Sequence, residues 1–149
     1  AGLNTGAENA KGMIVYLEGD LGVGKTTLVR GCLRALGQTG PVKSPTYTLV
    51  EVHAVSGLNL YHFDFYRFNQ PEEYLDAGLD EYFAEPGLCL VEWPDNAAPY
   101  LPPPDLRVRL DVLASGRQAR LDAVSARGAA WLTAIAQVVA TSSSLPPPA

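Results

Sequence analysis

Cysteine and histidine are scarce in this chain, two of each in 149 residues, and basic residues are outnumbered, 11 against 16 acidic ones. Two cysteines cannot build a disulfide framework. Cys32 and Cys89 both sit in apolar patterns, so buried free thiols are expected rather than a bridge. With so few His and Cys there is no cluster at metal-ligand spacing, and no Ser-His-Asp order stands out. The formal net charge of −5 argues against DNA binding and leaves contact with RNA indirect at most, through a local basic strip and a partner. No apolar run approaches the roughly 20 residues that span a bilayer, and no basic-then-apolar leader opens the chain. No membrane association and a cytoplasmic location are the expectations. Internal repeats are lacking too. The 47% of hydrophobic residues and the length suit one globular domain with a substantial core.

Against that background one run stands out: Gly19-Asp20-Leu21-Gly22-Val23-Gly24-Lys25-Thr26 fits G-x-x-x-x-G-K-[ST]. Glycines let successive backbone N–H groups converge on an anion, which residues with a Cβ resist. The lysine then reaches the outer phosphates, the threonine hydroxyl can ligate Mg²⁺, and a helix beginning at Lys25 adds its positive end. Met13 to Leu17 reads as a buried strand entering the loop, and Thr27 to Leu36 as a helix leaving it. Strand, loop and helix together imply a nucleoside-triphosphate site formed by Asp20, Leu21, Gly22, Val23, Gly24, Lys25, Thr26 and Thr27.

The remaining pattern predicts an α/β fold, a three-layer arrangement like that of P-loop NTPases, with a mixed central sheet flanked by helices. Thr46 to His53 and Leu58 to Asp64 are β-branched and aromatic and read as a hairpin around residues 54–57, which makes the sheet mixed. A short acidic helix is predicted from Pro71 to Leu75 and a turn over residues 80–83. Leu88 to Glu92 suits a central strand buried on both faces. After the extended Leu101-Pro102-Pro103-Pro104 stretch, residues 106–112 and 118–124 read as antiparallel strands around residues 114–117. A helix over residues 129–139 closes the domain. Residues 1–12 read as a flexible segment, 13–140 as the domain, and the Ser/Pro-rich 141–149 as a disordered tail.

Hydrolysis needs carboxylates near the metal, on the rim where strands end. Glu92 closes the strand from Leu88, and Asp64 closes the strand from Leu58. Each is a candidate for metal binding or for orienting water, and each could instead be a cap or a surface ion pair, Asp64 with Arg67 for example. Ser44, Thr46 and Thr48 cluster hydroxyls near Pro45. A loop that senses the outermost phosphate and a plain start of a strand are both open readings. Trp93 could pack over the site or anchor a partner. Arg117, beside Gly116 at a late turn, could touch a nucleotide or simply be a solvated turn arginine. His62 reads as a hydrogen-bonded strand residue rather than a base, and His53 as lying on an exposed hairpin end.

The order Gly19 to Thr27, then Val42-Lys43-Ser44-Pro45-Thr46-Tyr47-Thr48-Leu49-Val50, then Tyr61-His62-Phe63-Asp64-Phe65-Tyr66-Arg67, then Leu90-Val91-Glu92-Trp93-Pro94 resembles the bacterial TsaE (YjeE) family. The resemblance runs from about Met13 to about Val124. It implies a small P-loop ATPase acting with the TsaB–TsaD pair in forming threonylcarbamoyladenosine at position 37 of tRNA, with ATP as substrate and Mg²⁺ as cofactor. It makes Lys25 the phosphate-binding lysine, Thr26 a metal ligand, Glu92 an acidic metal-site residue and Asp64 a second carboxylate needed for turnover. It also implies a switch-like loop at Thr46 and Thr48, places Trp93 beside the metal, and tips Arg117 towards nucleotide contact. The family carries a further strand and helix ahead of the phosphate-loop strand, where about a dozen residues stand here.

Two other classes fit a phosphate loop. A GTPase would want an Asn-Lys-x-Asp segment, which is not found. A small kinase would want several lid arginines, and Arg67 is the single arginine between Asp64 and Gly87. A nucleotide-gated binding module with another partner is the third alternative.

Overall fold

The computed structural model of the chain describes residues 12–20, 24–55 and 57–143. Among these residues the elements are β1 (Met13–Glu18), α1 (Lys25–Ala35), β2 (Val50–Val55), β3 (Leu58–Asp64), α2 (Glu73–Asp76), β4 (Leu88–Glu92), β5 (Leu106–Leu113), β6 (Gly116–Ala123) and α3 (Ala126–Ser143). Short 3-10 turns cover Leu79–Ala84 and Pro94–Ala97. The strands form one six-stranded sheet in the order β2-β3-β4-β1-β5-β6. Its four inner strands, β3, β4, β1 and β5, run parallel, and β2 and β6 pair antiparallel at the two edges.

Period-two alternation sorts each inner strand between two cores. Met13, Val15 and Leu17 of β1, Leu88 and Leu90 of β4 and Leu106, Val108 and Leu110 of β5 face α1 and α3. Val29 and Leu33, one stripe at four-residue spacing on α1, and Trp131 and Leu132 of α3 close over them. On the other face Ile14, Tyr16, Phe63, Cys89 and Val91 pack under Tyr74 of α2 and Leu79 and Phe83 of the following turn. That second layer is largely aromatic, with Phe63 stacked on Phe83 at 4.7 Å between ring centroids. The fold is thus α/β in three layers around a mixed sheet, as the pattern of the sequence implies.

Several boundaries move. β2 starts at Val50, not Thr46: residues 45–48 form a turn closed by the Leu49 N–H donating to the Pro45 carbonyl at 2.8 Å, with Leu49 left-handed at φ 70°. The hairpin then runs on to Val55, and His53 lies inside it opposite Leu60, buried rather than at an exposed end. The β5–β6 turn narrows to Ala114-Ser115, so Arg117 belongs to a strand, opposite Val112, and not to the turn. α3 begins three residues early because Ser125 caps it, its Oγ accepting the Gly128 N–H at 3.0 Å. It also continues to Ser143, since Ser and Thr weaken a helix without breaking it and the first proline comes later. The first three residues of the expected tail are therefore helical, and the rest of the tail and residues 1–11 lie outside the described residues. Cys32 and Cys89 are free thiols, as expected.

Burial pushes the Cys89 thiol up to about 12 from its ordinary 9.0. The folded chain holds this proton after the unfolded chain has released it, so the stability it contributes is full below pH 9 and drains away as the pH rises towards 12. The urea midpoint is expected to fall steadily above pH 9. Cys89→Ala, less stable at pH 7 by about 1 kcal/mol, is expected to show a shallower fall over the same range; equal slopes would rule Cys89 out as a cause.

Candidate active site

The alternation that builds the core also aims the polar residues. Leu60, His62 and Asp64 project from β3 on the side facing α1, and Leu88, Leu90 and Glu92 do so from β4, with Asp64 directly opposite Glu92 in the parallel register. Both carboxylates come at carboxyl ends of parallel strands, where open α/β sheets hold their ligands. α1 starts at the same rim. Gly24, at φ 112°, takes the left-handed turn that a side-chain-bearing residue resists, and Lys25 and Thr26 follow as the first helical residues.

Four ionisable groups are withdrawn here: Lys25 is 4% exposed, Asp64 7%, Glu92 3% and His62 0%. Thr26 Oγ1 donates to Glu92 Oε2 at 2.9 Å, and His62 Nε2 meets the same oxygen at 2.6 Å. The Tyr66 N–H donates to Asp64 Oδ1 at 2.9 Å. Lys25 Nζ donates to the Gly19 carbonyl and lies 3.8 Å from the centre of the Trp93 ring. Trp93 itself is left-handed at φ 57°, which swings the chain leaving β4 so that its ring covers the lysine.

Burial lowers the proton affinity of Lys25, with the charges of Glu92, Asp64 and Asp20 pulling the other way. Burial raises Asp64; the Tyr66 N–H offsets part of this, Glu92 adds to it, and His62 and Lys25 oppose it. The lysine and the aspartate are each held against their charged forms by the same lack of water.

A cleft of about 380 Å³ opens between Lys25, Thr26, Thr46, Asp64, Glu92 and Trp93. Behind Trp93 a smaller one of about 170 Å³ is lined by Asp20, Glu18, Lys25, Asp95 and Arg109. Beside the start of α1 a wider, mostly apolar hollow of about 720 Å³ lies between Gly24, Thr27, Leu28, Cys32, Leu110 and Arg117. Lys25, Thr26, Thr27, Thr46, Asp64, Glu92 and Trp93 therefore converge, with Thr27 shared with the adjoining hollow, Arg117 on that hollow and Asp20 on the smaller cleft. Thr48 does not join them: its hydroxyl donates to Glu51 Oε2 at 2.8 Å, while Ser44 bonds Thr46 at 2.7 Å. Asp64 makes no ion pair with Arg67, whose guanidinium lies over the Tyr47 ring at 4.4 Å. Leu21, Gly22 and Val23 lie outside the described residues. The contact the sequence reading missed is His62 with Glu92. The spacing Leu60-x-His62-x-Asp64 puts the histidine on the carboxylate face, a signal available once β3 is set beside β4.

Oxygen ligands from Thr26, Glu92 and Asp64 fit a magnesium ion. Among the described residues no group of three or more His, Cys, Asp or Glu forms a closed cage.

Fold and rim together define a three-layer α/β protein whose mixed six-stranded sheet gathers buried polar side chains at its parallel strand ends. The sequence model of the family described as "Threonylcarbamoyl adenosine biosynthesis protein TsaE" matches residues 2–120, and this chain belongs to that family. A tRNA threonylcarbamoyladenosine biosynthesis protein TsaE from Haemophilus influenzae is 47% identical over 111 residues, covering 74% of this chain and 70% of the relative. The Bacillus subtilis TsaE is 44% identical over 104 residues, covering 70% of this chain and 65% of the relative. The chain thus spans about two thirds of the length of these relatives. The crystal structure of YdiB from Bacillus subtilis superposes with a TM-score of 0.71 at 34% identity, over 85% of this chain and 78% of that one.

Because Asp64 binds its proton more tightly folded than unfolded, its ionised form costs stability at neutral pH. That cost fades as the pH falls back through the raised folded value towards 3.8. Asp64→Asn, which can still accept the Tyr66 N–H, is expected to raise the melting temperature of the ligand-free protein by about 3 °C at pH 7. The gain should shrink near pH 4; a lower melting temperature at pH 7 would contradict it.

Proposed function

We propose that this chain binds ATP with Mg²⁺ and hydrolyses it as an accessory protein in threonylcarbamoyladenosine modification of tRNA, working in the cytoplasm with the TsaB–TsaD pair. The observation that carries the ATPase reading is the convergence of Lys25 and Thr26, the first residues of α1, on Glu92 and Asp64 at adjacent strand ends. The threonylcarbamoyladenosine assignment rests on family membership, and the TsaB–TsaD partnership on what that family resemblance implies. Among the described residues no helix is long and apolar enough to cross a membrane.

Thr26, Glu92 and Asp64 would hold the metal, which when bound supplies positive charge against the β- and γ-phosphates. The chain's own groups do the rest. Lys25 gives up its bond to the Gly19 carbonyl for a phosphate oxygen, and burial strengthens that charge-assisted contact. Trp93 keeps water off the lysine from the other side. Glu92 or Asp64 orients the attacking water towards the γ-phosphorus, and Thr46 faces the same cleft from the 45–48 turn. Arg117 and the apolar wall of the neighbouring hollow offer a place for the base. A kinase reading has little to draw on, since the lone arginine of the 64–87 stretch, Arg67, rests on Tyr47.

Lys25→Ala is expected to weaken ATP binding by about 10- to 100-fold. Glu92→Ala is expected to bind ATP within about threefold of the unmutated chain while losing about 100-fold in turnover. Calorimetry and phosphate release measure the two, and a Glu92→Ala protein with undiminished hydrolysis removes Glu92 from the mechanism. The basal rate is expected to be slow and to rise when TsaB–TsaD from the same organism is added. Tight ATP binding with no response to the pair would leave the ATP site and refute the partner.

A further inference from the structure

We infer that His62 is the positioning residue of the site: its Nε2–H fixes the Glu92 carboxylate in the orientation that turnover needs. The inference rests on the ATPase reading above, but its geometry stands by itself. His62 is fully buried in β3, and its Nε2 lies 2.6 Å from Glu92 Oε2. A carboxylate oxygen accepts, so in this contact Nε2 is the donor. The other ring nitrogen, Nδ1, is buried and has no hydrogen-bond partner among the described residues. Among the described residues the ring's hydrogen bonding therefore runs through Nε2 to Glu92.

The geometry also says what is gained. Thr26 Oγ1 and His62 Nε2 both take Oε2, from different elements: the threonine from α1, the histidine from the sheet. Two donors on one oxygen fix the plane of the carboxylate and leave Oε1 outside both bonds. A glutamate at a strand end has three side-chain torsions to settle; with Thr26 alone it would be tied to a residue that is itself wanted by the metal. His62 belongs to the rigid strand whose register sets Asp64 opposite Glu92, so one strand places both carboxylates. Outer partners of this kind set ligand orientation in metal sites, and their loss typically costs 10- to 100-fold in metal affinity or activity.

The test uses the full chain, unmutated, as His62→Met (similar bulk, no donor) and as His62→Gln, whose amide nitrogen can stand where Nε2 does. Two readouts are taken. In the first, NMR of the ligand-free unmutated protein is expected to show an exchange-protected proton on Nε2, shifted downfield and lost in Glu92→Ala. In the second, His62→Met is expected to lower kcat by about 10- to 100-fold and to raise the Mg²⁺ concentration for half-maximal turnover about tenfold. Its ATP affinity in EDTA should stay within about twofold, and His62→Gln should recover kcat to within about fivefold of the unmutated chain. A purely structural histidine would not separate Mg²⁺ dependence from metal-free ATP affinity, nor the two variants from each other. Normal kcat and Mg²⁺ dependence in His62→Met, equal losses in His62→Gln and His62→Met, or a ring without a proton on Nε2 would each overturn the inference. If the unmutated chain hydrolyses no ATP, the ATPase reading fails there, and the ring proton and its loss in Glu92→Ala decide the positioning role alone.

Discussion

Lys25, His62, Asp64 and Glu92 are taken out of water within one small volume, and each is tolerable there because of the others. A lone buried carboxylate or ammonium would cost several kcal/mol. Here Glu92 takes two donors, Asp64 takes a backbone N–H, and the lysine finds a carbonyl and the face of an indole. The arrangement depends on the parallel pairing of β3 with β4, which sets the two acidic side chains abreast. It depends equally on β1, which sits next to β4 and delivers the start of α1 over that same edge. The apolar residues of the inner strands exist in part to hold this register. A slip of one residue in β4 would turn Glu92 to the aromatic face, where Cys89 and Val91 now pack, and bury it without a partner.

What the sequence made legible follows the strength of its periodic signals. The run from Met13 through Leu36 announces strand, loop and helix by composition and by the glycine spacing. Glu92 and Asp64 stand out because a charge at the end of an apolar strand demands a use. Less legible was anything set by contacts between distant segments. His62 is an unremarkable strand residue until β3 is laid beside β4, thirty positions later in the chain. His53 looked terminal because the turn was placed two residues early. Thr46 to Thr48 carry the composition of a strand, but Pro45 begins a turn and the hydroxyls bond to neighbours nearby, Ser44 to Thr46 and Thr48 to Glu51. The cap at Ser125 was in principle readable, as a serine just ahead of a helical run, and it moves the start of α3 by three residues.

Two residues other than glycine adopt left-handed backbone among those described, Leu49 and Trp93, and both adjoin the site. For a bulky side chain this conformation costs about 1 kcal/mol or more, and it persists where the surroundings over-determine it. Trp93 spends that strain at the exit of β4, where it brings the indole over Lys25. Leu49 spends it at the start of β2, where its carbonyl accepts the Asp64 N–H at 3.1 Å and so ties the 45–48 turn to the carboxylate strand. The two walls of the cleft are therefore supported unequally. The strand ends are locked by ladder bonds and by buried polar contacts on every side. The wall that carries Thr46 is held by the Leu49 joint, a hydroxyl pair and the exposed Tyr47–Arg67 stack, with Tyr47 80% exposed. Fixed carboxylates and a lightly held opposite wall are divided in this way between sheet and turn, with Asp64 the residue that belongs to both.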